Sequence, residues 1–94
     1  MNLEKSKKRI AKKVKMGFQG YPEITILYLG SSTDIAEQVA VSFVAEEGAE
    51  PMEERFQSKS DAREDQVIQS AIVKMIERSE AQTIKQTEGV KVVK

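Results

Sequence analysis

The sequence predicts an α/β (or α+β) domain: a small sheet of roughly three to five strands packed by two amphipathic helices, with a basic N-terminal segment. Three observations carry that prediction. Residues 23–29, Glu-Ile-Thr-Ile-Leu-Tyr-Leu, are an apolar, β-branched run of strand length. Val67, Ile68, Ala71, Ile72, Met75 and Ile76 recur at helical spacing. Lys5, Lys7, Lys8, Arg9, Lys12, Lys13 and Lys15 crowd into residues 4–15, opposed only by Glu4.

The chain has 94 residues, which is room for one domain, 1–94, with a single modest core. It is 39% hydrophobic and 32% charged, a balance that fits a globular domain better than a disordered one. The aromatics are Phe18, Phe43, Phe56, Tyr21 and Tyr28, with no Trp, so the core must be aliphatic.

Cys and His are both absent. Disulfides, thiolate nucleophiles and Cys-based zinc sites are thereby excluded, and so is the commonest general base. The lack of disulfide staples in so small a chain favours the cytoplasm as an expectation. The basic N-terminus is followed by no apolar run of the kind a signal peptide has. No stretch reaches the roughly 18 apolar residues of a membrane span.

Taken in order, residues 1–17 form the basic segment. Ile10, Val14 and Phe18 lie four apart, with lysines on the other faces, and Ala and Lys favour helix. Val14, Met16 and Phe18 also alternate, so residues 12–18 have a strand as their rival reading. Gly17, Gly20 and Pro22 end whatever precedes them. The run at 23–29 is apolar at nearly every position and suits a central strand buried on both faces. Gly30 closes it.

Ser31, Ser32, Thr33 and Asp34 then read as the start of a helix, with Asp34 and Glu37 spaced as a capping box. Ile35, Ala36, Val39, Ala40, Phe43 and Val44 supply its apolar stripe, and Gly48 is placed as its left-handed stop. Residues 51–58 read as a charged edge strand with Met52, Glu54 and Phe56 on one face, and Pro51 at its start suits an edge. Ser60 and Asp61 cap the next helix, whose stripe ends near Ser79. Residues 82–87 read as a further strand with Ile84 as its main apolar residue. Glu88-Gly89 is either a tight turn into a strand at 90–93 or the start of a frayed tail. The expected order is therefore basic segment, strand, helix, strand, helix, strand.

Two groups of residues are candidate binding sites. The seven cations between Lys5 and Lys15 can neutralise the phosphates of nucleic acid or meet an acidic partner. Gly30, Ser31, Ser32 and Thr33, between a strand and a helix, form a candidate anion site at the helix N-terminus. That spacing matches neither the dinucleotide glycine pattern nor a P-loop, and Ser and Thr are also ordinary helix caps. The acidic stretch of Glu46, Glu47, Glu50, Glu53 and Glu54 matches no calcium loop and reads as a solvated face or a surface for a basic partner. Tyr21-Pro22 reads as a turn whose Tyr packs over the sheet edge, and Met52 and Met75 as core filler.

The stretches Glu46-Glu47-Gly48-Ala49, Glu53-Glu54-Arg55-Phe56, Asp65-Gln66-Val67-Ile68 and Glu88-Gly89 together resemble a small bacterial family of uncharacterised domains. The resemblance covers the last half of the chain and implies a strand, strand, helix, strand, helix, strand layout. It implies no activity.

No nucleophile motif such as Ser-x-x-Lys or Gly-x-Ser-x-Gly occurs. The expected function is non-enzymatic, with no cofactor and no metal: a protein-interaction or self-associating module, a homo-oligomer among the expected forms, without membrane association. Nucleic-acid binding through the basic segment and small-anion binding at Gly30–Thr33 are the alternatives.

Overall fold

The computed structural model describes residues 2–87 and 89–92. Helix α1 (Leu3–Lys15) comes first, then strands β1 (Glu23–Gly30), β2 (Gln38–Val44) and β3 (Met52–Gln57). A single 3-10 turn (Ala62–Glu64) leads into helix α2 (Gln66–Ser79), and β4 (Thr83–Gln86) and β5 (Lys91–Val92) finish the chain. The sheet runs β3-β2-β1-β4, with β5 also on β1. It is mixed: β1, β2 and β3 form an antiparallel meander, while β4 and β5 both run parallel to β1.

The basic segment is helical, and the extended alternative for residues 12–18 is not adopted. Asn2 caps α1 by accepting the Lys5 N–H at 2.9 Å. Glu4 in the first turn and Lys12, Lys13 and Lys15 in the last complement the helix dipole. Ile10 and Ser6 are buried, and the Ser6 hydroxyl lies 3.4 Å from that of Ser70 on α2.

β1 is central in the sheet, but the expected burial on both faces is not realised: Ile24, Ile26 and Tyr28 are buried on the helix-packed face, while Glu23, Thr25 and Leu27 on the other are half-buried because both helices lie on one side. Ile24, Ile26 and Tyr28 join the core with Val39 and Val41 of β2, Ile84 of β4, and Ile68, Ile72, Val73 and Ile76 of α2. Alternation along paired strands puts Ile24 with Phe43, Ile26 with Val41 and Tyr28 with Val39 on one face. The core therefore lies between the helices and one face of the sheet.

The largest departure from expectation is at 35–44, where a strand replaces the anticipated helix. Its apolar residues satisfy both periods: 35, 36, 39, 40, 43 and 44 trace a helical stripe, and Val39, Val41 and Phe43 alternate. Val41, which the helical stripe omits, is buried in the core beside Ile26. Three valines and a Phe in seven residues favour extension, and the edge of β1 supplies seven pairing positions. Ile35 accordingly lies outside the core and exposed. The loop before β2 is fastened by Ala62 N–H to the Ala36 carbonyl at 2.7 Å and by Ser58 N–H to the Glu37 carbonyl at 2.8 Å. Gly48 does adopt positive φ (+83°), but in the loop between β2 and β3 rather than at a helix end.

α2 starts later than the sequence implies. Its cap is Asp65, which accepts from the Val67 and Ile68 N–H groups at 3.0 and 3.2 Å, while Asp61 caps the 3-10 turn. Val67 is consequently 78% exposed and outside the core stripe. The helix ends at Glu80, a non-glycine residue in the left-handed region (φ 55°). Met75 packs against the core, but Met52 is 70% exposed and is not filler. Tyr21 packs edge-on against Phe18, ring centroids 5.5 Å apart.

β4 and β5 behave as one edge strand with an interruption. The register against β1 is Glu23↔Thr83 at one end and Leu29↔Lys91 at the other, so the partner offset grows from 60 to 62. Two extra residues are accommodated between Gln86 and Lys91. The strand expected at 90–93 is thus realised at Lys91–Val92, pairing with β1 rather than folding back on β4. Glu88 of the expected turn and Val93 lie outside the described residues.

Candidate interaction surfaces

The seven cations of α1 divide into two groups. Lys7 donates to Glu64 at 2.7 Å and Arg9 to Glu77 at 2.8 Å, fastening the helix to the 3-10 turn and to α2. Lys5, Lys8, Lys12, Lys13 and Lys15 are exposed and have no ion-pair partner among the described residues. Lys5, Lys8, Lys12 and Lys15 follow 3-4-3 spacing and so line one face, opposite the face of Ser6, Ile10 and Val14 that meets the protein. They span about 15 Å along the helix at 1.5 Å per residue.

The Gly30–Thr33 turn has a different role from the one its sequence suggests. It leads into a loop and then β2, so the helix N-terminus that would have favoured an anion is absent. Ser31, Ser32 and Thr33 are exposed, and the Ser31 hydroxyl donates to Glu37 at 2.8 Å. A Cβ at position 30 would overlap the Ile35 carbonyl oxygen, so glycine is required there for close approach of two backbone segments.

β3 forms one edge of the sheet, with β4 and β5 at the other. Alternation places Met52, Glu54 and Phe56 on the helix-packed face and Glu53, Arg55 and Gln57 on the other. Between β3 and the end of α2 runs an apolar groove of about 420 Å³, floored by Ile24, Val41, Phe43, Met52 and Met75 and rimmed by Glu53, Glu54 and Arg78. The acidic stretch thus lies partly along this rim.

A second cavity, of about 700 Å³, lies beside Tyr28 of β1 and the carboxyl end of β4, where the edge strand is interrupted. Lys7, Lys8, Tyr28, Arg63, Gln69 and Thr87 are among its lining residues. Tyr28 and Gln69 are buried, and Gln69 Nε2 donates both to the Tyr28 hydroxyl at 3.0 Å and to the Ala62 carbonyl at 2.9 Å. Burial pushes the Tyr28 phenol above its ordinary range. The Glu64 hydrogen bond holds Lys7 charged to higher pH than usual. Arg63 reaches the Asp61 carboxylate at 2.6 and 2.9 Å and holds that carboxyl below the usual carboxylate range.

Sequence reasoning missed this cavity entirely. Its polar residues come from five separate elements, α1, β1, the 3-10 turn, α2 and β4, and apart from the lysines of α1 the only local signal was a lone Tyr in a mostly aliphatic strand. Among the described residues, no group of acidic side chains is arranged to hold a metal ion, and no helix is long and apolar enough to cross a membrane.

In comparison with known proteins, no family model, no curated protein and no solved structure matches this chain.

Proposed function

We propose that this protein is a small non-enzymatic interaction module that self-associates along the free edge of β3. One observation carries the reading: the side chains of β3 are self-complementary in a single antiparallel register. A twofold axis through Glu54 keeps the helix-packed faces of both copies on one side. It sets Met52 opposite Phe56 of the second copy, and Glu53 opposite Arg55 of the second copy, each twice. Shifting the axis to Arg55 opposes two arginines and sets Glu54 against Phe56, so the charges select a register rather than forbid pairing. Within one chain Arg55 already approaches Glu53, at 3.7 Å, on that same face. The groove beside Met52 extends the apolar surface that a second copy would cover. The absence of His and Cys supports the non-enzymatic part of the reading.

Sedimentation across a concentration series tests it. A reversible dimer is expected, weakened about tenfold or more by Glu53→Arg or Arg55→Glu alone and restored in the double exchange. Glu54→Gln should tighten it by removing the like-charge pair on the axis. A chain that stays monomeric up to ~1 mM would end the proposal.

A second reading, polyanion binding by α1, is favoured by the aligned lysines at 5, 8, 12 and 15. Four phosphate contacts on duplex DNA predict a log–log salt slope of about −3 to −4. Undetectable binding to a mixed-sequence duplex at ~50 mM salt would remove this reading.

A further inference from the structure

We propose that the cavity beside Tyr28, at the carboxyl end of β4, binds the phosphoryl group of a small molecule. The cavity lies where the edge strand breaks, between β1, β4 and the two helices. Two extra residues between Gln86 and Lys91 interrupt the register there, so that among the described residues Leu27 and Tyr28 of β1 have no paired partner on that side, while Leu29 and Gly30 pair with β5. The volume of the cavity, about 700 Å³, lies within the range of roughly 300–1,000 Å³ seen for small-molecule sites.

The chemistry of the lining selects an anion. Tyr28 is only 4% exposed, yet it lines the cavity together with Gln69, the partner of its hydroxyl. That oxygen accepts from Gln69 Nε2, and the same amide is fixed by its bond to the Ala62 carbonyl. The phenolic proton has no acceptor among the described residues, so it is a donor held ready for one in the cavity. Burial keeps the phenol protonated, which preserves that donor. Lys7, Lys8 and Arg63 face Glu64 as the single carboxylate among the described lining residues. Lys7 is held in place by Glu64 and Arg63 by Asp61, while Lys8 has no ion-pair partner among the described residues. A dianionic, tetrahedral phosphoryl group matches this set: one buried neutral donor and cations arriving from two different elements.

The test is a titration of the full chain with inorganic phosphate, and in parallel with glycerol 3-phosphate, at constant ionic strength against chloride, followed by amide chemical shifts. Saturable shifts are expected at Tyr28, Gln69 and Thr87. Tyr28→Phe, which keeps the ring, should weaken binding about tenfold or more, as expected for one hydrogen bond to a charged group. Lys8→Gln should weaken it too, while Lys15→Gln, outside the cavity, should not. Tighter binding of glycerol 3-phosphate would identify a phosphorylated organic molecule as the ligand class; equal binding would identify free phosphate. Shifts that do not saturate, equal affinity in Tyr28→Phe, or equal losses in Lys8→Gln and Lys15→Gln would overturn the proposal, because each is the signature of diffuse attraction to a basic helix.

Discussion

Gln69 on α2 donates one amide group to two acceptors, the Tyr28 hydroxyl at the end of β1 and the Ala62 carbonyl in the 3-10 turn. At 2% exposure it is a polar side chain inside an aliphatic core, and it ties α2 and the 3-10 turn before it to β1, which is distant in sequence. Replacing it with Leu removes the donor and leaves a buried hydroxyl with one partner fewer. Such a loss costs about 1–3 kcal/mol. Chemical denaturation of Gln69→Leu should show that drop, and an unchanged midpoint would mean that water replaces the amide freely.

Ile72 is fully buried at the middle of α2 and touches the sheet side of the core. Ile72→Ala should cost about 2–5 kcal/mol through lost burial and the cavity left behind. Ile72→Asp should cost more, since it buries an unpaired charge. Thermal melts followed by circular dichroism measure both, and a variant that melts with the parent would contradict the placement of the helix.

Gly30 should tolerate no side chain. Its φ is ordinary, so the constraint is purely steric: the Ile35 carbonyl oxygen occupies the space of a Cβ, and Val90 lies at 3.2 Å. Gly30→Ala must push apart β1 and the loop leading to β2. A destabilisation of about 1–3 kcal/mol is expected, comparable to other overpacking changes. Gly48→Ala, with open space around it but φ of +83°, tests backbone strain alone and should cost about 1 kcal/mol.

Stability should decline at both ends of the pH scale, for different groups. Asp61 has a folded-state carboxyl held below its ordinary range by the Arg63 hydrogen bonds. The unfolded chain therefore takes up that proton first, and the contribution present above about pH 4 is lost as pH falls through the folded value. Asp61→Asn should flatten the acid limb of a denaturation-midpoint profile. Tyr28 runs the other way. Burial raises its folded value, so the unfolded phenol ionises first and stability falls as pH rises past about 10. Lys7, raised chiefly by its hydrogen bond to Glu64, adds a loss in the same direction as it deprotonates. Tyr28→Phe should remove the phenol's share of the alkaline limb and leave the acid limb unchanged.

Glu80 closes α2 in the left-handed region, at φ 55°, where a non-glycine residue is unfavourable. Glu80→Gly should raise the melting temperature modestly, the relief of strain exceeding the added chain entropy by a few tenths to about 1 kcal/mol. A lower melting temperature would show that the Glu80 side chain contributes more than its backbone conformation costs.

The sequence by itself determined those features whose signal is local and points one way. The run from Glu23 to Leu29 is apolar on both parities, so only a strand flanked on either side accommodates it, and it is central. The α2 stripe through Ile68, Ile72 and Ile76 fits a single period. The lysines of α1 announced a basic helix, and the missing Cys and His excluded whole chemistries. Residues 35–44 satisfied both periods at once, and the tertiary structure decided between them, because the open edge of β1 could be paired by a strand and not by a helix. The same holds for the surfaces. Only packing against Glu64 and Glu77 separates Lys7 and Arg9 from the unpaired lysines beside them. The Tyr28 cavity lies where five elements and a two-residue interruption converge. Local pattern records which face of a segment is apolar, but not which partner that face or edge will meet.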